Sequence, residues 1–199
     1  MNCTIFKNIT DVNTPFFKDV YFILDRIKIG KSKETVELVR KQTNKKDADK
    51  VKSTLPAICF SGTFNKRAAN SIVEHSGLIC LDFDKIPDEK TLNSIRKEII
   101  KDKYVFSLFT SPSGNGLKVL IKIPKEIQHH KAYFEALEKH FNSEYFDKGV
   151  SDVSRVCFES YDPKLFINKD SETWTDKVDY ECYNFVDRPP TIKLENENE

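Results

Sequence analysis

Leu78-Ile79-Cys80-Leu81-Asp82-Phe83-Asp84 reads as a buried strand that ends in two acids. Side chains two apart on a strand point to the same face, so Asp82 and Asp84 project from one spot. Two carboxylates held that close repel each other, and burying them requires a cation between them. A hard divalent ion with oxygen ligands, Mg²⁺ or Mn²⁺, suits such a pair. The dyad alone does not separate this reading from a strand end carrying two solvated acids, so the surrounding chain must decide.

Downstream, Pro87 followed by Asp88 and Glu89 opens a helix. It runs to about Lys101 with Leu92, Ile95, Ile99 and Ile100 on its apolar face. A strand follows at 104–110, then the turn Ser111-Pro112-Ser113-Gly114-Asn115-Gly116, then a strand at 117–123. In that strand Leu117, Val119, Ile121 and Ile123 alternate with Lys118, Leu120 and Lys122. Phe134, Leu137 and Phe141 mark a helix at about 129–143, and a last strand is expected at 154–159. The order β-α-β-β-α-β predicts an α+β fold around a ferredoxin-like or RNA-recognition-motif-like (RRM-like) unit.

Upstream, Phe16, Phe17, Val20, Ile23, Leu24 and Ile27 recur at helix spacing and Gly30 ends the run. Ser32 is placed to cap a second helix through Val36 and Val39, residues 43–53 read as helix or exposed loop, and Leu55–Phe60 as a short buried strand. The expected organisation is an N-terminal α/β module at 1–76, an RRM-like module at 77–170 and a C-terminal segment with a polar tail at 171–199. That tail, after Arg188-Pro189-Pro190, reads as frayed or as a linker to further chain.

Composition narrows the class. Of 199 residues, 39% are hydrophobic and 32% charged, enough for a core beneath a charged surface, and fifteen phenylalanines argue against disorder. A net charge of +1 gives no bulk attraction to nucleic acid, so any polyanion site must be a local patch. Cys3, Cys59, Cys80, Cys157 and Cys182 are scattered without a CxxC, which suits a reducing, cytoplasmic setting. No apolar run nears the ~18 residues of a membrane span.

In the expected topology the sheet order is 4-1-3-2. The end of the first strand then lies beside the starts of the third and fourth. Asp82 and Asp84, the 111–116 turn with Lys118, and the Phe146-Asp147 to Asp152-Arg155 segment would share one edge. With Asp147 or Asp152 as third ligand, the acids would hold two divalent ions, an arrangement suited to in-line displacement at phosphorus. Ser113, Gly114, Asn115 and Gly116 offer small residues and backbone N–H groups to phosphate oxygens, though Asn-Gly is also a plain hairpin signal. Lys118 supplies a point charge and Arg155 a bidentate one. Each also fits a structural role, Lys118 as an exposed strand residue and Arg155 as a partner of Asp152. Lys66 and Arg67 put two cations in a loop, either solvated or on nucleic acid.

Three motifs in this order, hydrophobic-D-F-D, S-P-S-G-x-G and F-D…D-x-x-R, resemble the archaeo-eukaryotic primase superfamily, the primase-polymerases. The phrases LPAICFSG, HSGLICLDFD, SPSGNGLK and DVSRVCFESYDP are most similar to the branch called BT4734-like, or VirE N-terminal. The resemblance covers roughly Phe6 to Asn168. It implies a nucleotidyltransferase joining nucleoside triphosphates on a DNA template, with Mg²⁺ or Mn²⁺ on Asp82, Asp84 and Asp147 (Asp152 as the alternative). It also implies a helicase-type ATPase, as a joined domain or a partner, in phage or mobile-element replication. The second motif normally ends in a His that contacts the nucleotide's phosphates, and Lys118 stands there instead. That departure keeps open a non-catalytic DNA-binding module using Lys66, Arg67 and Lys118, or a metal-dependent phosphohydrolase or nuclease.

The remaining histidines and aromatics receive plainer readings. His75 reads as a hydrogen-bonding core or surface residue, and His140 as a helix-face residue. His129 and His130 open a helix with no acid or Cys at ligand spacing, so no zinc site is expected. Trp174, Tyr180 and Tyr183 are read as packing the C-terminal segment in preference to stacking on bases.

Overall fold

The computed structural model describes residues 1–180. Cys182, Tyr183 and the tail therefore lie outside the described residues. The fold is α+β, with helices and antiparallel sheets in layers. The central sheet contains β6 (Leu78–Phe83), β7 (Val105–Thr110), β8 (Leu117–Lys122) and the short β10 (Phe166–Ile167). Its order is β10-β7-β8-β6.

Both faces of this sheet are covered, and the alternation along each strand decides what covers them. Ile79, Leu81 and Phe83 of β6, with Leu117, Val119 and Ile121 of β8, pack on one face under α4 (Glu89–Ile99) and α5 (His130–Phe141). The α4 N-cap is Asp88, whose carboxylate accepts the Thr91 N–H at 2.8 Å. Leu78 and Leu120, with Phe106 and Phe109, pack on the other face against α1 (Val20–Ile29) and a second sheet. That second sheet, order β2-β1-β3-β9, is built from β1 (Asn2–Phe6), β2 (Phe16–Asp19), β3 (Ala57–Cys59) and β9 (Cys157–Phe158). Helices α2 (Lys33–Lys41) and α3 (Lys45–Lys52) pair outside it, and a two-stranded ribbon of β4 (Gly62–Phe64) and β5 (Ile72–His75) leads into β6.

Several expectations change. The strand at 154–159 does not join the central sheet: Cys157 and Phe158 pair with Ile58 and Ala57 of β3 instead. The edge of β6 is already taken, because Phe146 bridges Phe83. Phe16 and Phe17 belong to the exposed edge strand β2 and not to a helix. Helix α1 cannot extend back to them because the Asp19 carboxylate accepts the Tyr21 N–H at 2.9 Å and ends it there. Ser32 precedes α2 without capping it, since its hydroxyl donates to Glu159.

Glu159 is fully buried, and the Arg26 guanidinium meets it with two hydrogen bonds, of 2.7 and 3.0 Å. This fork ties α1 to the segment after β9. Trp174 is buried in the helix-side core, with its ring 4.7 Å from that of His140 and 5.0 Å from that of Tyr104, so the packing reading holds for it. The four cysteines among the described residues are free thiols. No helix among the described residues is long and apolar enough to cross a membrane.

Candidate functional site

The chain returns beside β6 after α5. The Asp147 N–H donates to Asp82 O and the Asp84 N–H donates to Tyr145 O, each at 2.8 Å. These bonds flank the Phe83–Phe146 bridge, whose rings meet edge-to-face at 5.4 Å in the helix-side core. Strand alternation then turns the residues on either side toward the opposite face. Asp82 stands between Lys118, its β8 partner, and Asp147, with Asp84 two residues further along the same strand. Sequence and topology thus bring the three acids to one strand end, by a bridge at Phe146 and not by the expected fourth strand.

Lys118 sits across from Asp82 and its ammonium donates to Asp82 Oδ2. Burial alone would push that ammonium down, but the Asp82 carboxylate, with the Cys157 and Cys80 thiols, outweighs it and holds Lys118 above its ordinary value. The thiol of Cys157, together with burial, holds Cys80 well above the usual thiol range. Asp82, Lys118, Cys80 and Cys157 line a narrow cleft between the two sheets, which also reaches His130, Asp152 and Arg155. Its enclosed space of about 20 Å³ is room for roughly one water. Asp82 Oδ1 is buried there without a hydrogen-bond partner.

No group of three or more His, Cys, Asp or Glu side chains among the described residues is gathered to hold a metal as it stands. The donor chemistry nevertheless suits a hard divalent ion: an orphaned carboxylate oxygen on Asp82, with Asp84 and Asp147 on the same strand end. Such an ion and the Lys118 ammonium are alternative counter-charges for Asp82.

The glycine turn closes against the same strand end. A Cβ at Gly116 would lie 2.6 Å from Phe83 O and 3.2 Å from Asp84 Oδ1, so only glycine lets the turn approach the dyad this closely. Arg40 of α2, which the sequence did not single out, holds the turn from the other side. Its guanidinium donates to the carbonyls of Pro112 at 3.2 Å, Ser111 at 3.1 Å and Tyr161 at 3.0 Å. Ser113 exchanges a hydrogen bond with Ser111 at 3.2 Å. Gly114 and Asn115 face a separate hollow of about 440 Å³, which they share with Arg40, Arg96 and Asp162 and not with Asp82.

Asp152 is exposed and turns its carboxylate onto Ser154, accepting the backbone N–H at 2.7 Å and the hydroxyl at 2.5 Å. Arg155 is exposed at the cleft and makes no ion pair among the described residues; only its backbone N–H meets Asp152 O, at 3.0 Å. Lys66 and Arg67 lie between β4 and β5 and do not line the cleft, and one Arg67 guanidinium nitrogen is buried without a partner.

Residues 50–166 match the family model described as BT4734-like, N-terminal domain, a span that takes in both acids of the dyad, the glycine turn and Asp147. The chain belongs to the BT4734-like N-terminal domain family. No curated protein and no solved structure matches it. In this family member β1, β2, α1 and α2 precede the matched span, so Arg40 and Arg26 come from outside it.

One further feature reaches the cleft from behind. His75 and His130 are buried together, with Nε2 of the first 3.0 Å from Nδ1 of the second. Burial, with Lys125 nearby, pushes His75 down to about 4. Burial, with His75 and against Asp152, pushes His130 down to about 3. An unfolded histidine takes a proton near pH 6.5, so between about pH 6.5 and 4 the unfolded chain binds more protons than the folded one. Stability is therefore complete above pH 6.5 and falls as the pH drops through that window. Each histidine contributes up to about 1.4 kcal/mol per pH unit there. Urea denaturation at pH 7 and pH 5 is expected to show this loss. It should shrink when both histidines are replaced by phenylalanine, and an equal loss in that variant would refute the assignment.

Proposed function

We propose that this chain is a primase-polymerase-like nucleotidyltransferase, joining nucleoside triphosphates on a DNA template. The observation that carries this reading is the convergence of Asp82, Asp84 and Asp147 on one strand end, with the glycine turn and Lys118 against it. Asp82, Asp84 and Asp147 would hold Mg²⁺ or Mn²⁺, with Asp152 as the alternative third acid. When bound, the ions would supply Lewis-acid stabilisation to the attacking and leaving oxygens. Lys118 would release Asp82 and meet the triphosphate as a point charge. Arg155, exposed and without an ion pair, would take a phosphate bidentately. Ser113 and the Gly116 backbone would lie along the nucleotide, with Gly114 and Asn115 turned toward the separate hollow, and Lys66 and Arg67 would follow the DNA strand. A helicase-type ATPase, joined or separate, would supply the template, as in phage or mobile-element replication.

The Lys118–Asp82 pair also favours a second reading. A carboxylate already neutralised by an ammonium needs no metal, and the domain would then bind DNA for a helicase without catalysis. The test uses the purified chain, single-stranded DNA, labelled nucleoside triphosphates, and Mg²⁺ or Mn²⁺. Catalysis is expected to give a ladder of extended products that EDTA abolishes. DNA binding that resists EDTA, with no products, would replace the first reading with the second, and its salt dependence would count the phosphate contacts. Shortened DNA or released phosphate without extension would mean a nuclease or phosphohydrolase on the same acids.

A further inference from the structure

The two buried histidines determine each other's protonation. His75 Nδ1 accepts the Gly77 N–H at 3.0 Å, so that nitrogen carries no proton. A neutral imidazole has one N–H, and for His75 it is on Nε2. That N–H points to His130 Nδ1, 3.0 Å away, which must accept it. The proton of His130 is therefore on its own Nε2. The reverse assignment would leave His75 accepting at both nitrogens with no proton at all, a state imidazole does not reach near neutrality.

His130 Nε2 has no hydrogen-bond partner among the described residues. His130 is 5% exposed and lines the cleft that Lys118, Arg155 and Asp82 also line. Asp152 shares this cleft, but its carboxylate is turned onto Ser154. A metal on His130 Nε2 would need the lone pair that this tautomer does not have, so the ring is a donor and not a ligand. Because it is neutral, it can stand beside divalent ions without repelling them. Such a fixed donor in a closed site is worth most when charge develops nearby.

We infer that His130 Nε2–H is an oxyanion-binding donor of the cleft, taking a phosphoryl oxygen together with Lys118 and Arg155, and that His75 is the positioning residue that fixes its tautomer. Placing that phosphoryl group on a nucleoside triphosphate rests on the nucleotidyltransferase reading; the tautomer and the donor do not. This role of His130 is invisible in the sequence pattern, because its Nε2–H follows only from the spatial pairing with His75 and Gly77.

The experiment is long-range ¹H–¹⁵N correlation NMR on the whole chain with labelled histidine. Both rings are expected as neutral Nε2–H tautomers at pH 7. Inorganic triphosphate with Mg²⁺ is expected to shift the His130 Nε2 and its proton while leaving His75 Nδ1 in place. His130→Phe should weaken triphosphate binding about ten- to a hundredfold, and His130→Gln, which keeps an N–H donor, should recover most of it. His75→Phe should leave His130 as a mixture of tautomers, a readout that mere packing would not move. A His130 ring protonated on Nδ1, or charged, at pH 7 overturns the inference whatever the protein binds. Triphosphate that binds with His130 resonances unmoved overturns it and spares the nucleotide reading. A chain that binds no triphosphate overturns both.

Discussion

Asp82→Asn is expected to lower primer synthesis by about a thousandfold at saturating Mg²⁺. The several kcal/mol of charge stabilisation that a bound divalent ion supplies, at 1.36 kcal/mol per factor of ten, sets that scale. The same substitution strands Lys118, whose side chain is only 15% exposed, without its counter-charge. A loss of activity could then be a loss of fold. The double variant Asp82→Asn/Lys118→Met removes both charges, so its urea midpoint should return toward wild type. Its activity should stay low, because the carboxylate is still missing and the Lys118 charge is gone with it. Primer synthesis by the double variant at wild-type rates would sink the metal-ligand role of Asp82. Mn²⁺ titration of Lys118→Met supplies the complement: with the competing ammonium gone, the Asp82 site should bind the ion more tightly than in wild type.

Arg26→Met is expected to destabilise the fold by about 3–5 kcal/mol, the usual loss when one partner of a buried pair is removed. Glu159 has no exposed surface, and the Ser32 hydroxyl alone would remain to meet its charge. Pairing the change with Glu159→Leu should restore most of the loss, since a buried ion pair is weakly stabilising against apolar residues of similar size. Chemical denaturation of the two variants checks this. Equal destabilisation by the single and double changes would show that Arg26 acts through packing of its stem and not through its charge.

The central strands were legible because their signals are local. An apolar run ending in Asp-Phe-Asp, a Pro-Asp-Glu helix start and the alternation of 117–122, broken only by Leu120, each carry their own signal. The fourth strand was not, because Ser154-Arg155-Val156-Cys157-Phe158-Glu159 is an acceptable strand for either sheet. What places it is the Arg26–Glu159 fork and the Glu159 N–H donating to Pro56 O at 2.8 Å, contacts more than a hundred residues apart in the chain. Phe16 and Phe17 fitted a helical period that the Asp19 cap then cut short. At the site, the three acids could be read from their sequence, whereas the Lys118–Asp82 pairing needed the β6–β8 register. Arg40 could not be anticipated, since its partners are backbone carbonyls of distant segments.

Strand β9 reaches back across the chain to close the outer side of β3. During translation, Ala57–Cys59 leave the ribosome about a hundred residues before the segment that covers them. The nascent N-terminal half therefore presents a naked, apolar ribbon edge, the kind that invites pairing with a neighbouring chain. Truncations near residue 76 should inherit that stickiness, and a stop codon placed beyond Glu159 should relieve it.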